Sequence, residues 1–372
     1  TYTNSAGGGQ NYRGNFSNSG TFNAGGGLHR FNGSTAQVLT GATTFQNMEV
    51  NNSAGLVINS DVTVTTQATL TAGVVTTGAN VFILQQTSSS GISRGSGYIN
   101  GNLRLRMPTG GTSRVFDVGG ANGYRPVTVA FANITTQGDL TVSISDPAGD
   151  HPNIGSSAID AAKSVNRWWT LTNGGIVFSG NYSATFNFLA GDIDGGANTA
   201  LFNIQRFSGG TWNDVTAGTR TATSTQGTGL NAFGSFAIGE RITVPTCPAG
   251  GELVSGLFGS YYTVTGGFPP ARPAGVPDGT RIDGTVNFNW AGGAPGVGGI
   301  GADQFSVRWD GYIYVTVSGN YRFQTQSDDG VRLWVDNMTT PVIDNWTDHA
   351  STTDTSGNVA LTAGQYYQIR LE

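Results

Sequence analysis

The sequence predicts an all-β chain with three regions in line, of which the first reads as an N-terminal parallel β-solenoid-like region and the second as a central antiparallel β-sandwich. Three observations predict it. Charged residues are only 11% of the 372, against about 25% in an ordinary soluble domain. Glycine numbers 58, and Thr, Ser and Asn fill much of the rest. Short apolar beats, not helical stripes, carry the hydrophobic residues.

Composition excludes several classes of function. Aromatics reach 10% and β-branched residues are abundant, so there is apolar area to bury, which argues against disorder. Gly and Asn supply positive φ at turns, and Thr suits a pleated surface. Lys163 is the only lysine and the net charge is −5. Without a basic stripe, the electrostatic footprint of nucleic-acid binding is missing. No apolar run approaches the roughly 18 residues of a membrane-spanning helix. The start at Thr1, without Met or an apolar leader, reads as a processed, exported chain.

Residues 1–105 open with a Gly/Asn-rich tail and then fall into beats. These are Leu56/Ile58, Val62/Val64, Ala68/Leu70, Val74/Val75 and Val81/Ile83, recurring about every six or seven residues. That spacing is short for hairpins of about five-residue strands plus turns. It suits a solenoid, whose short strands end in corners and stack coil on coil. A sandwich of short strands is the alternative. An elongated chain follows from the solenoid reading.

Residues 106–243 alternate better, as in Arg125-Pro-Val-Thr-Val-Ala-Phe131 and Asn181-Tyr-Ser-Ala-Thr-Phe-Asn-Phe188. Period two with Gly, Asn and Asp turns predicts antiparallel strands of a sandwich. Only Ser157 to Ser164 looks weakly helical. Residues 244–252 are rich in Pro and Gly and read as a linker. It contains Cys247, the only cysteine, in Pro245-Thr-Cys-Pro248. One cysteine makes neither an internal bridge nor a zinc site, which leaves a plain linker thiol or an intermolecular bridge.

Residues 253–372 carry six ordered motifs. They are Gly256-Leu-Phe-Gly-Ser-Tyr-Tyr262, Phe305-Ser-Val-Arg-Trp-Asp-Gly-Tyr312, Ser318-Gly-Asn-Tyr-Arg-Phe323, Ser327-Asp-Asp-Gly-Val-Arg-Leu-Trp-Val-Asp336, Ile343-Asp-Asn-Trp-Thr-Asp-His349 and Leu361-Thr-Ala-Gly-Gln-Tyr-Tyr-Gln-Ile-Arg-Leu-Glu372. On these motifs this third of the chain resembles the protective-antigen (PA-14) domain and is expected to be a β-sandwich of that type. Against the family's pattern it stops at Glu372, apparently lacking its last strands, which implies an open sheet edge at Tyr366–Leu371. The first two regions resemble β-rich cargo of the type IX secretion system. The stretches that carry this are Phe45-Gln-Asn-Met-Glu-Val-Asn-Asn52, Asp150-His-Pro-Asn153 and Ser164-Val-Asn-Arg-Trp-Trp-Thr-Leu171.

Asp328-Asp329 is the most informative pair. Adjacent carboxylates repel, and a cation relieves that repulsion. The resemblance implies that this pair holds calcium, which in flocculin-type relatives then binds vicinal sugar hydroxyls. Asp344, Asn345 and Asp348 are further candidate ligands. The alternative is a purely structural Ser-Asp-Asp-Gly turn. Asp192-Ile-Asp-Gly195 begins like a calcium loop but lacks a Glu at the twelfth position, and a β-turn is preferred. Gly296-Val-Gly-Gly-Ile-Gly301 fits a dinucleotide fingerprint only on paper, because a strand and not a helix is expected after it. Gly91-Ile-Ser-Arg-Gly95 fits a nucleophile elbow, yet no helix follows Ser93 and no His lies in its region downstream. His29, His151 and His349 stand alone. Trp290, Trp309, Trp334 and Trp346 suit either sugar stacking or a sandwich core.

No catalytic residues and no enzyme activity are expected. The expected role is an extracellular structural or adhesive surface protein, a self-assembling filament subunit joined through β-strand edges. The alternatives are a calcium-dependent carbohydrate-binding module, or the non-catalytic arm of a larger secreted enzyme. Expected partners are other copies of the chain and glycans, with no nucleic acid.

Overall fold

In a β-strand only alternate side chains reach the core, and each corner of a coil needs a residue that turns without a clash. The computed structural model describes residues 2–3, 9–242, 254–264, 273 and 275–372. It stacks short strands in parallel, coil on coil. Thr43 pairs with Val62, Val62 with Phe82 and Phe82 with Leu103, so one coil takes about 20 residues. Three of the sequence beats make one coil.

The inward column Phe45, Val64, Leu84 and Leu105 runs in register through four coils and is fully buried. Burial is worth about 1.5–3 kcal/mol per large apolar side chain. Glycine turns the corners where the neighbouring coil leaves no room. A Cβ on Gly73, at φ +88, would lie 1.7 Å from the Asn52 carbonyl oxygen. One on Gly41, at φ +89, would lie 1.8 Å from the Asn18 carbonyl oxygen.

The stack begins earlier than the beats suggest. Gln10–Tyr12 pairs in parallel with Leu28–Phe31, and Phe16–Ser17 with Gln37–Thr40. From residue 10 on, the Gly/Asn-rich opening is therefore coil rather than tail.

Strand Tyr98–Met107 belongs to two structures at once. Its Leu103 pairs in parallel with Phe82 of the previous coil and antiparallel with Val142 of the sandwich. The boundary read between residues 105 and 106 falls inside this strand. One sandwich sheet continues from it through Gly138–Ile144, Ile159–Gly174, Gly234–Arg241 and Asn203–Ser208 to the first half of Thr211–Thr221. The other runs Gly110–Phe116, Val127–Thr136, Val177–Asn187, Ser224–Leu230 and the second half of Thr211–Thr221. Trp169 of the first meets Phe186 of the second at 5.3 Å.

The weakly helical stretch at Ser157–Ser164 lies largely in strand Ile159–Gly174, whose following residues Val165, Arg167, Trp169 and Leu171 bury at period two. A single apolar core extends from the first coils to Ile238, and Thr1–Arg241 forms one unit.

The second unit spans Ile242–Glu372. Its larger sheet is antiparallel, ordered Gly279–Asp283, Leu257–Thr263, Phe305–Tyr314, Tyr366–Leu371, Val331–Val335 and Ile343–Asn345. Two shorter ladders face it, Gly319–Tyr321 with Val359–Leu361 and Gln324–Ser327 with Thr352–Thr355. Val315, Val331, Leu333, Val335, Ile343 and Leu361 form the core between the layers.

The open edge expected at the terminal strand is not there. Tyr366–Leu371 is an inner strand, hydrogen-bonded to Phe305–Tyr314 on one side and Val331–Val335 on the other. The sheet's edges are Gly279–Asp283 and Ile343–Asn345. Cys247 and the linker 244–252 lie outside the described residues.

Candidate functional site

Strand Gln324–Ser327 leads into the turn Asp328-Asp329-Gly330 and out along Val331–Val335. The turn is pressed against the loop that follows strand Ile343–Asn345. A Cβ on Gly330 would lie 3.0 Å from the Thr347 nitrogen and 3.1 Å from the Trp346 Cα, so glycine is what permits the approach. The peptide joining Asp328 to Asp329 is cis. Both carboxylates are exposed.

Asp329 receives a hydrogen bond from the backbone N–H of His349, and Asp348 and Asp328 lie beside it. Its carboxyl is raised above the ordinary range. Although the turn is exposed, partial loss of hydration is the main cause, and the negative charges of Asp348 and Asp328 add to it against the His349 N–H. The structure thus gathers Asp328, Asp329 and Asp348.

Asp344 and Asn345 are held elsewhere. Asp344 accepts from Arg332 Nε at 2.6 Å, its partner across the hairpin. Asn345 donates to Asp354 Oδ2 at 3.0 Å and accepts from the Thr347 hydroxyl at 2.9 Å. Sequence reasoning missed Thr325 and Ser327. Their hydroxyl oxygens are buried with no hydrogen-bond partner, as is His349 Nε2. The signal was available in the strand's alternation, which puts residues 325 and 327 on one face of the strand that leads into the Asp pair.

Carboxylates and hydroxyls are hard oxygen donors, the kind calcium takes. Among the described residues no three His, Cys, Asp or Glu side chains close around one point as a ready cage. A calcium ion here would complete its six to eight oxygens with backbone carbonyls and water. The donor chemistry fits the ion, and the enclosure by side chains is partial.

The other sequence candidates take structural roles. Asp192 is buried and accepts from Arg125 at 2.6 and 2.8 Å and from Arg167 at 3.1 Å. Asp194 accepts from the Ser164 N–H at 2.8 Å and from Asn166 at 2.6 Å. Ser93 sits on a coil strand, with its hydroxyl 3.3 Å from Thr69 Oγ1. Gly296–Gly301 is followed by strand Phe305–Tyr314 and not by a helix.

His29 is fully buried. It donates Nε2–H to the Ala24 carbonyl and takes the Tyr12 hydroxyl at Nδ1, both at 2.8 Å. His151 is boxed by Trp168, Phe207 and Trp212. Trp309 is buried and donates to Asp283 at 2.6 Å, a carboxylate also bonded by Tyr261 and Arg281. Trp334 is buried too, Trp290 stacks on Phe288 at 5.0 Å, and Trp346 lies under Arg332 at 5.3 Å. Among the described residues no helix is long and apolar enough to cross a membrane.

Comparison with known proteins places the second unit. Residues 253–372 match the family model of the PA14 domain. The anti-sigma-I factor RsgI3 of Acetivibrio thermocellus is 41% identical over 93 residues, which is 25% of this chain. The match spans only 14% of that curated relative's length. A solved "PA14 sugar-binding domain from RTX adhesin" is 21% identical over 32% of this chain and 82% of its own, at a TM-score of 0.26. The PA14 domain of the MpAFP antifreeze protein is 18% identical over 35% of this chain and 78% of its own, at a TM-score of 0.27. Superpositions this loose say nothing of what this chain binds. The motifs, the two-layered antiparallel fold and the match over residues 253–372 together make this last third of the chain a PA14 domain.

Proposed function

We propose that the chain is a non-catalytic, extracellular adhesive protein whose PA14 domain holds carbohydrate through a calcium ion at Asp328 and Asp329. The observation that carries this is the approach of Asp348, on the loop after Ile343–Asn345, to Asp329 in the exposed Asp328-Asp329 turn. Like charges held together cost free energy that a bound cation recovers. Calcium, when bound, would offer open coordination positions to two neighbouring sugar hydroxyls. Asp328 and Asp329 would ligate the ion, Asp348 would add charge, and the His349 N–H would fix the Asp329 carboxylate.

The test is retention on a glycan array with calcium and with a chelator. Calcium-dependent retention that disappears in Asp328→Ala supports the reading. Retention that ignores both calcium and the substitution overturns it.

A second reading is self-association through strand edges. Among the described residues, Gln10–Tyr12 and Phe16–Ser17 each pair on one side only, as do Gly279–Asp283 and Ile343–Asn345. Unpaired edges are templates for another chain. Electron microscopy of native material, with and without chelator, separates regular filaments from single particles.

A further inference from the structure

The sequence contains four Asn-Gly dipeptides, at Asn32, Asn100, Asn122 and Asn173. Such a pair can lose ammonia, because glycine leaves its backbone nitrogen unhindered next to the asparagine side-chain carbonyl. Whether it does so in a folded chain depends on the freedom of the amide.

Three of the four are tied. Asn100 donates to Asp146 Oδ2 at 3.0 Å. Asn173 donates to the Ile176 carbonyl at 3.0 Å and accepts the Ile176 N–H at 2.8 Å. Asn32 donates to Asn11 at 3.3 Å, and the Gly33 nitrogen after it is held by Gln37 Oε1 at 2.9 Å. Asn122 differs. It is exposed at the tip of a two-residue hairpin closed by Gly120 and Gly123, and among the described residues no hydrogen bond holds its side chain.

We infer that Asn122 is a self-modification site, the position at which this chain deamidates first. The Gly123 nitrogen, after giving its proton to solvent, attacks Asn122 Cγ. The new C–N bond closes a succinimide, the Cγ–Nδ2 bond breaks, and ammonia leaves with a proton. Water then opens the ring at either carbonyl, giving an aspartate or an isoaspartate. No oxidant or cofactor is required.

The location gives the reaction a consequence. The neighbouring Ala121 N–H donates to Asp146 Oδ2 at 2.9 Å, and Asp146 also pairs with Arg167, which in turn pairs with Asp192. A new carboxylate at the hairpin tip sets a negative charge beside Asp146 and lengthens the backbone if the isomer forms. Ageing of the protein thus loosens a contact to the buried ion network.

The test is to incubate the full chain at mildly alkaline pH and follow all four sites by peptide mapping in a mass spectrometer, with Asn122→Gln alongside. The longer glutamine disfavours the ring. The expected result is conversion at Asn122 faster by on the order of tenfold than at any other site, since only there is the side-chain amide exposed and untied. In Asn122→Gln the conversion disappears and the other three sites are unchanged. Conversion at Asn32, Asn100 or Asn173 that keeps pace with Asn122 overturns the inference. So does a chain that converts in urea but nowhere when folded, because the Gly120–Gly123 pairing then holds the nitrogen away.

Discussion

Arg125 and Asp192, 67 residues apart, form a two-pronged ion pair that is almost sealed from solvent, each side chain only 3% exposed. Arg167 adds a third hydrogen bond to the same carboxylate and continues to Asp146. Removing one member of a buried pair leaves the rest uncompensated. Asp192→Ala is expected to cost about 3–5 kcal/mol. Denaturation of unit Thr1–Arg241, followed by calorimetry, is the measurement. A loss below about 1 kcal/mol, the range of surface ion pairs, would show that water reaches the network.

The same network sets the acid response. Burial works to raise the Asp192 carboxyl, but hydrogen bonds from Arg125, the Leu189 N–H and Arg167 outweigh it and hold the group below its usual range. A depressed carboxyl stabilises the fold above its unfolded value of about 3.9 and loses that contribution as pH falls through the folded value. His151 acts earlier. Burial among aromatic rings lowers its pKa, so the unfolded chain takes up a proton first as pH drops below about 6.5. The melting temperature of this unit is therefore expected to decline in two stages, near pH 6 and again below pH 4. His151→Phe should remove the first stage and leave the second.

Much of this was legible in the chain. The beats from Leu56 to Val75 reported the solenoid because inward side chains at short spacing are a local property, whereas at Val81/Ile83 the inward residues are instead the neighbours Phe82 and Leu84. Residues 10–23 did not, since only Tyr12, Phe16 and Phe22 point to the core there and the rest of the coil is backbone pairing. The boundary placed between residues 105 and 106 falls inside strand Tyr98–Met107, because Leu103 and Leu105 satisfy a coil on one side and a sandwich on the other with the same alternation. At the candidate site, Asp328 and Asp329 stood out by adjacency. The diversion of Asp344 to Arg332 was hidden until the hairpin register placed the two opposite each other. Asp192-Ile-Asp-Gly195 read as a β-turn rather than a calcium loop, but the ion network that buries Asp192 was hidden because its arginines are distant in sequence.

Corner glycines give a sharper test of the solenoid than core residues do. Gly73 combines φ +88 with an Asn52 oxygen 1.7 Å from any added Cβ. Left-handed backbone alone costs a β-carbon roughly 1–2 kcal/mol, and the collision adds to it. Gly73→Ala should therefore destabilise the unit by more than that figure. Gly78→Ala is the control. Its φ is +55 but nothing lies within 4 Å, so only the conformational cost applies. Equal effects from the two would mean that the coil-to-coil approach is looser than the register implies.

Calcium provides the last test, and it does not depend on knowing the glycan. A ligand that binds only the folded state stabilises it by about 2.7 kcal/mol at a hundredfold excess over its dissociation constant. The two units need not unfold together, so the calorimetric transitions are read separately. Calcium should raise the PA14 transition and leave that of Thr1–Arg241 in place. Asp329→Asn removes one charge from the crowded turn. Without calcium it should stabilise the PA14 domain slightly, because Asp328 and Asp348 no longer face a third carboxylate. With calcium it should forfeit the shift. These opposite signs separate a cation site from a structural turn. If the carboxylates serve only to hold backbone N–H groups, Asp329→Asn destabilises the domain equally with and without the ion, since the His349 N–H loses a charged acceptor in both cases.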